Sequence, residues 1–204
     1  KFGTSFNGYN KVEVNSFVRD VTKEYENMLN TLKARDQELE VLKQKLAEAY
    51  VLIEQAKEEK NKGHYFESEK MLLHARKIKE KLLGPEHLEM AEVDYELAEV
   101  YAWQGRYKEA EELYQKSLRL TEKILGEEHP DTATGYNNLA GVYARQGKYK
   151  ESIIYYLKAY KIGVAKLGWN HPVAQIYFKN LEMLYTENYP EEDFKQFLEE
   201  AMRD

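Results

Sequence analysis

The chain has 204 residues, of which 43% are apolar and 32% charged, and its 30 basic and 36 acidic side chains give a net charge of −6. It has no cysteine, which excludes disulfides and thiolate chemistry and fits a reducing cytosol. No apolar run approaches the roughly 18 residues of a membrane span. Residues 1–53 are balanced at eight basic and eight acidic side chains, so residues 54–204 carry the whole acidic excess, and no basic stripe points to nucleic acid.

Residues 1–9 form a turn-rich stretch with three aromatics, Phe2, Phe6 and Tyr9. Asn10 with Glu13 three residues later makes a capping-box pattern that predicts a helix start. From there Val14, Val18, Val21, Tyr25, Met28, Leu32, Arg35, Leu39, Leu42, Leu46, Ala49 and Ile53 alternate at spacings of four and three. That is an a/d heptad seam, broken by one charge at a d position, Arg35. A strict 3.5-residue period keeps a narrow stripe facing a partner helix, so it predicts a left-handed coiled coil roughly 60 Å long. The alternative is a helix packed along the rest of its own chain. No Pro or Gly intervenes until Gly63. The spacing therefore predicts one helix continuing to about Lys60, with no flexible linker.

A second rhythm follows, with a period of 42 residues. Gly84, Gly126 and Gly168 keep it, as do His87, His129 and His171, then Gly63, Gly105 and Gly147, and Tyr101, Tyr143 and Tyr185. A period in the 20–50 range means stacked supersecondary units. Helix pairs are predicted at about 90–103 with 107–124, and 132–145 with 149–166. Gly105 and Gly147 sit in the tight turns within pairs, and Pro130 and Pro172 suit the first turn of the following helix. The units read as repeats at about 47–89, 90–131 and 132–173, closed by capping helices over 174–204. Two segments result, 1–53 and 54–204. The expected fold class is all-α, a dimerising coiled-coil segment followed by an α-solenoid.

These residues resemble tetratricopeptide repeats. Tyr136-Asn137-Asn138-Leu139-Ala140-Gly141-Val142-Tyr143, then Gly147, Tyr149, Ser152, Tyr156 and Ala159, match that family's large and small packing positions. Leu97, Ala98, Tyr101, Gly105, Tyr107, Ala110, Tyr114 and Ser117 match in the preceding unit. The first unit is degenerate, with Gln55 and Glu59 where Leu and Tyr recur. The 42-residue length with Leu-Gly-x-x-His-Pro is similar to the repeats of kinesin light chains and their bacterial relatives. The resemblance implies a right-handed superhelix with a concave face lined by the first helix of each pair, and peptide or protein binding there.

The start of the chain resembles the DivIVA/GpsB domain of bacterial cell-division and polar-growth proteins, on Phe2, Ser5, Phe6, Gly8, Tyr9, Glu13, Val14, Asn15, Phe17, Val18, Val21, Tyr25 and Glu26. This resemblance implies a parallel homodimer with crossed N-terminal loops, placed in the cytoplasm at the inner face of the membrane at septum or pole. Phe6 matches the lipid-inserting Phe of membrane-binding members. The next residue, Asn7, is uncharged and the segment is neutral, whereas weak anchoring needs charge attraction as well as apolar insertion. Membrane contact is left open.

The candidate binding residues are Asn137, Asn138 and Asn180. Asn138 and Asn180 lie one period apart, so their amides are expected to stack across the groove, and an amide offers donor and acceptor together to an extended backbone. The resemblance carries this role to them. Hydrogen bonding within their own repeat is the alternative. Glu92, Glu96 and Glu99 form an acidic patch expected to favour a basic or amide-rich partner segment. Arg145 and Trp103 are expected to line the same face, though Trp103 fits packing equally well. The dimerisation residues are Val18, Val21, Tyr25, Met28, Leu32, Leu39, Leu42 and Leu46. His87, His129 and His171 recur one per loop, roughly 10 Å or more apart, too far to share a metal ion. No catalytic motif or cofactor loop is legible. The sequence therefore predicts a non-enzymatic dimeric scaffold for a protein or peptide ligand, with no cofactor. A pole-localised membrane protein recruiting division or envelope factors, and a regulatory subunit of a separate enzyme, are the alternatives.

Overall fold

The computed structural model describes residues 5–6 and 9–203, with side chains from Lys11 onward. The predicted Phe6 contact and the Asn10 cap thus lie outside the described side chains. The chain divides into two compact units, residues 1–47 and 48–204.

In the first unit β1 (Ser5–Phe6) pairs antiparallel with β2 (Tyr9–Asn10), matching Ser5 with Asn10 and Phe6 with Tyr9. The sequence pattern showed only turns there. Helix α1 (Lys11–Asn61) follows directly and contributes to both units. Thr22 and Thr31 send their hydroxyls back to the carbonyls of Val18 and Asn27, at 2.8 and 2.9 Å, which reconciles these β-branched residues with a helix. The seam residues Val18, Val21, Tyr25, Met28, Leu32, Leu39 and Leu42 are exposed, between 42% and 60% of each. Leu46 is half-buried. Ala49 and Ile53 keep the rhythm but are buried, and their place is the core of the second unit. The heptad pattern therefore runs three residues or more past the end of the exposed stripe.

The second unit stacks residues 48–61 of α1 with α2 (Tyr65–Leu83), α3 (Leu88–Trp103), α4 (Tyr107–Leu125), α5 (Pro130–Arg145), α6 (Tyr149–Leu167), α7 (Pro172–Asn188) and α8 (Phe194–Ala201). Each pair is an A helix and a B helix. Within pairs, Gly105 takes φ 78° and the next amide, Arg106, bonds back to the Tyr101 carbonyl at 2.9 Å. That is a left-handed helix end which only glycine adopts cheaply. Between pairs, the three histidines act as N-caps. Nδ1 of His87, His129 and His171 accepts the backbone N–H two residues on, at 3.3, 3.1 and 3.2 Å. The recurring histidine is thus a helix-start device.

The core follows the period. Ala56, Leu72, Ala75, Val93, Leu97 and Val100 join Ala49 and Ile53 in the first layer. Ala98, Ala110, Tyr114, Tyr136, Leu139 and Tyr143 continue it. Phe194 and Phe197 close the far end against Tyr185, with ring centroids 5.6 and 4.3 Å away. Tyr156, Tyr160 and Tyr177 are buried packing residues. Buried serine hydroxyls brace the pairs, Ser68 on the Ala56 carbonyl at 2.8 Å and Ser152 on that of Ala140 at 2.7 Å.

A polar latch also repeats. Glu69 on α2 accepts from Gln104 and Arg106, both at 2.9 Å. One period later Glu111 on α4 accepts from Gln146 at 2.8 Å and Lys148 at 2.9 Å. Arg106 lies over the Tyr101 ring at 3.8 Å and Lys148 over Tyr143 at 5.0 Å. At the next period the positions hold Ile153, Asn188 and Pro190, and the latch stops where the array does. In the degenerate first unit, Glu59 pairs instead with its own turn, Lys62 at 2.8 Å and His64 at 2.7 Å.

Candidate groove on the A helices

Residues from α3, α5 and α7 line a groove of about 860 Å³. Asn137, Asn138, Asn180, Glu99 and Arg145 all face it. Its floor is a hydrogen-bond ladder. Asn180 donates to Asn137 Oδ1 at 2.9 Å, Asn137 donates to Asn138 Oδ1 at 2.9 Å, and Asn138 donates to the Tyr95 hydroxyl. Tyr95 in turn reaches Glu99 at 3.4 Å. Each amide has two N–H donors and two acceptor lone pairs, and the ladder uses only part of that capacity. The half-buried amides therefore keep donors for a second partner.

The ladder corrects one expectation. Asn180 bonds Asn137 and not its period mate Asn138. Among α3, α5 and α7, side-chain hydrogen bonds between neighbouring A helices step by 43 residues: Asn180 with Asn137, Asn138 with Tyr95, and Tyr177 with Thr134 at 2.8 Å. Residues 42 apart are equivalent, but these hydrogen bonds join residues offset by one from equivalence. Tyr95 was not singled out in the sequence. Its period mate is Asn137, so a hydroxyl stands where the next repeat has an amide.

The acidic patch is also corrected. Lys60 on α1 reaches Glu96 at 2.7 Å and pairs with Glu99, and Lys57 lies 3.5 Å from Glu92. Burial disfavours the Lys60 charge, but the hydrogen bonds to Glu96 and Glu99 outweigh it and raise its pKa. Glu96 and Glu99 thus share a lysine partner within the chain and do not stand as a free acidic surface. Burial, with Glu99 and Glu96 nearby, pushes the Tyr95 hydroxyl well up, so it remains a neutral donor and acceptor.

Arg145, at the C-terminal end of α5, enters none of the ion pairs found among the described residues. It shares the groove wall with Glu187 and Asn188. Trp103 is 66% exposed, stacks on Tyr65 at 6.1 Å, and lines the same wall. Tyr149 and Met183 add exposed apolar surface beside it. The groove thus combines amides at its floor, one cation and exposed apolar side chains, a set suited to an extended polypeptide. Glu92 opens onto a separate, smaller cavity.

Residues 89–163 match the tetratricopeptide repeat family, and residues 59–89 match a second form of the same repeat. Two solved structures of a Podosopora anserina protein, described as a putative kinesin light chain with nearly identical TPR-like repeats, are similar over 90% of both chains at 23% identity, with TM-scores of 0.62 for a single-substitution form and 0.61. BtubC from P. vanneervenii is similar over 72% of this chain and 67% of its own, at 21% identity and a TM-score of 0.58. At these identities the likeness concerns the fold. No curated protein matches the sequence.

Proposed function

We propose that this chain, which carries tetratricopeptide repeats over residues 59–163, is a dimeric scaffold that holds an extended protein segment in the groove of its A helices. The observation that carries the reading is the ladder of Asn180, Asn137, Asn138 and Tyr95, which leaves amide groups free on the groove floor. An extended backbone needs donors and acceptors in alternation, and amides supply both. The exposed a/d stripe of α1 supports pairing of two copies, since one helix has no way to bury such a stripe alone. Two grooves on one dimer would raise avidity for clustered partners.

Selection of peptides from a displayed library on the full chain tests the groove. Selected peptides should bind the Asn138→Ala, Asn180→Ala double variant at least about tenfold more weakly, a loss of about 1.4 kcal/mol. Equal affinity would remove the amides from binding. Light scattering tests the pairing: the wild type should have twice the chain mass, and Leu39→Asp with Leu42→Asp should be monomeric. A role in bacterial cell division or at a membrane rests on the DivIVA/GpsB resemblance over about residues 1–45. Sedimentation with anionic liposomes, lost in Phe6→Ala, would support it.

A further inference from the structure

Between each A helix and the next lies a gap floored by the intervening B helix, and the 42-residue period allows the three gaps to be compared position by position. In the first gap, the fully buried side chain of Lys79 runs up from α2. Its ammonium lies 3.0 Å from Glu89, 3.8 Å from Glu92 and 4.3 Å from the centre of the Tyr50 ring. Charge and the ring hold it, without a well-directed hydrogen bond.

In the third gap the position equivalent to Lys79 is Gly163. The ring of Tyr177 occupies the space, so close that a Cβ on Gly163 would meet it at 3.0 Å. The Tyr177 hydroxyl closes the rim on Thr134 at 2.8 Å.

The second gap is open. Thr121 stands where Lys79 stands in the first gap, and Gly135 where Tyr177 stands in the third. What remains is a cavity of about 280 Å³, just below the roughly 300–1,000 Å³ of drug-sized sites and suited to one side chain. The equivalents of Glu89, Glu92 and Tyr50 are Asp131, Thr134 and Glu92, and all three line it together with Thr121. Leu88, Ala91 and Leu125 form an apolar wall for an alkyl stem. Asp131 has no lysine or arginine partner among the described residues. Its close histidine contact, His129 Nδ1 at 3.6 Å, is a nitrogen that accepts the Asp131 backbone N–H and so brings no proton to the carboxylate.

We propose that this second gap is a vacant lysine slot, which takes the side chain of a lysine from the bound partner in the way the first gap takes Lys79. The inference deepens the reading of the A-helix face as a binding surface and rests on it. A compact ammonium on a flexible stem, like that of Lys79 in the first gap, is the occupant this lining suits. The open gap lies next to the asparagine ladder, since Tyr95 lines the cavity and bonds Asn138. A lysine seated there would anchor a segment whose backbone crosses the amides.

The test is titration of the isotope-labelled full chain with n-butylammonium chloride, followed by amide NMR shifts, with n-butanol and potassium chloride as controls. Saturable shifts should cluster at Thr121, Asp131 and Thr134, and n-butanol and potassium chloride should not produce them. Asp131→Asn, at an exposed position, should lose them. Thr121→Lys, which supplies an internal occupant, should lose them while retaining the helical spectrum of the wild type. Absence of saturable shifts at these residues, or their persistence in Asp131→Asn, would overturn the proposal. Because the probe is not a peptide, that failure would leave capture by the asparagine ladder standing, and failure of the ladder would not touch this result.

Discussion

Lys148 meets Glu111 at 2.9 Å, and one period earlier Arg106 meets Glu69 at the same distance. Each pair ties the turn after an A helix to the preceding B helix. The acids are only 19% and 16% exposed at the side chain, so they are less screened than surface pairs. Each also accepts a glutamine amide. Removing Glu111 takes one acceptor from Gln146, Lys148 and Gln115 together, although Gln146 keeps the Tyr107 carbonyl and Gln115 the Tyr143 hydroxyl. Glu111→Ala should therefore cost about 1–3 kcal/mol in urea unfolding. Glu109→Ala, whose partner Arg106 keeps Glu69, should cost about 0.5 kcal/mol or less.

The same acids give the array a pH dependence. Burial raises the pKa values of Glu69 and Glu111, but hydrogen bonds from Gln104 and Arg106, and from Lys148 and Gln146, more than offset it and hold both below the usual range. A carboxylate with a depressed folded-state pKa contributes stability that is fully present above its unfolded value, about 4.3. That stability is lost as pH falls through the folded value. Unfolding free energy should thus decline below about pH 5. Glu69→Gln with Glu111→Gln should be less stable than wild type at neutral pH and show a shallower decline in acid. Parallel curves would exclude these acids as the source.

The period made most of the second unit legible, because equivalent residues do equivalent work in each repeat. Gly105, Pro130 and the large and small core positions could be read directly. The acidic patch could not. Glu96 and Glu99 find Lys60 at separations of 36 and 39 residues, off the repeat spacing, so no periodic signal pairs them. The sequence picked out Asn137, Asn138 and Asn180 but not Tyr95, and set Asn180 against Asn138, whereas the 43-residue step along the ladder sets it against Asn137. The latch was visible in principle, as Glu69 with Arg106 and Glu111 with Lys148 recur in register. Charged surface residues recur often enough that pattern alone does not mark them as paired. The apolar heptad spacing of α1 was legible, but not that it is exposed through Leu42 and buried in the second unit at Ala49 and Ile53. A helix facing its own repeats shows much the same apolar spacing as one facing a second copy.

Asp94 shows how one position changes its chemistry between repeats. It is 1% exposed, accepts from Arg76 at 2.6 Å, and pairs with Lys116 at 2.9 Å. One period later the same three positions hold Tyr136, Leu118 and Lys158, and Lys158 lies over the Tyr136 ring at 5.2 Å. Both sets fill the same space, one with an ion triad and one with a ring and a leucine. Asp94→Ala takes the shared acid from Arg76, which keeps Glu80 at 3.4 Å, and from Lys116, and should cost about 1–3 kcal/mol by denaturant unfolding. Arg76→Leu with Asp94→Tyr copies the arrangement one period later and should recover at least half of that loss. A double variant as unstable as Asp94→Ala would show that the two layers are not interchangeable.

Arg35 is the one charge in the a/d stripe of α1, placed between Leu32 and Leu39, which are 50% and 51% exposed. In the parallel pair proposed for this stripe, equivalent d positions share a layer, so two guanidinium groups would meet there. Like charges in a partly desolvated layer cost stability, and a leucine would bury apolar area in their place. Arg35→Leu should therefore tighten association, raising the thermal midpoint of the dimer and lowering its dissociation constant about tenfold, equivalent to about 1.4 kcal/mol. The same change removes the layer that disfavours staggered pairings. Sedimentation velocity should then show a minor population of higher oligomers absent from the wild type. An unchanged dissociation constant would mean that residue 35 does not face its counterpart, and the stripe would have to pair in an antiparallel or shifted register.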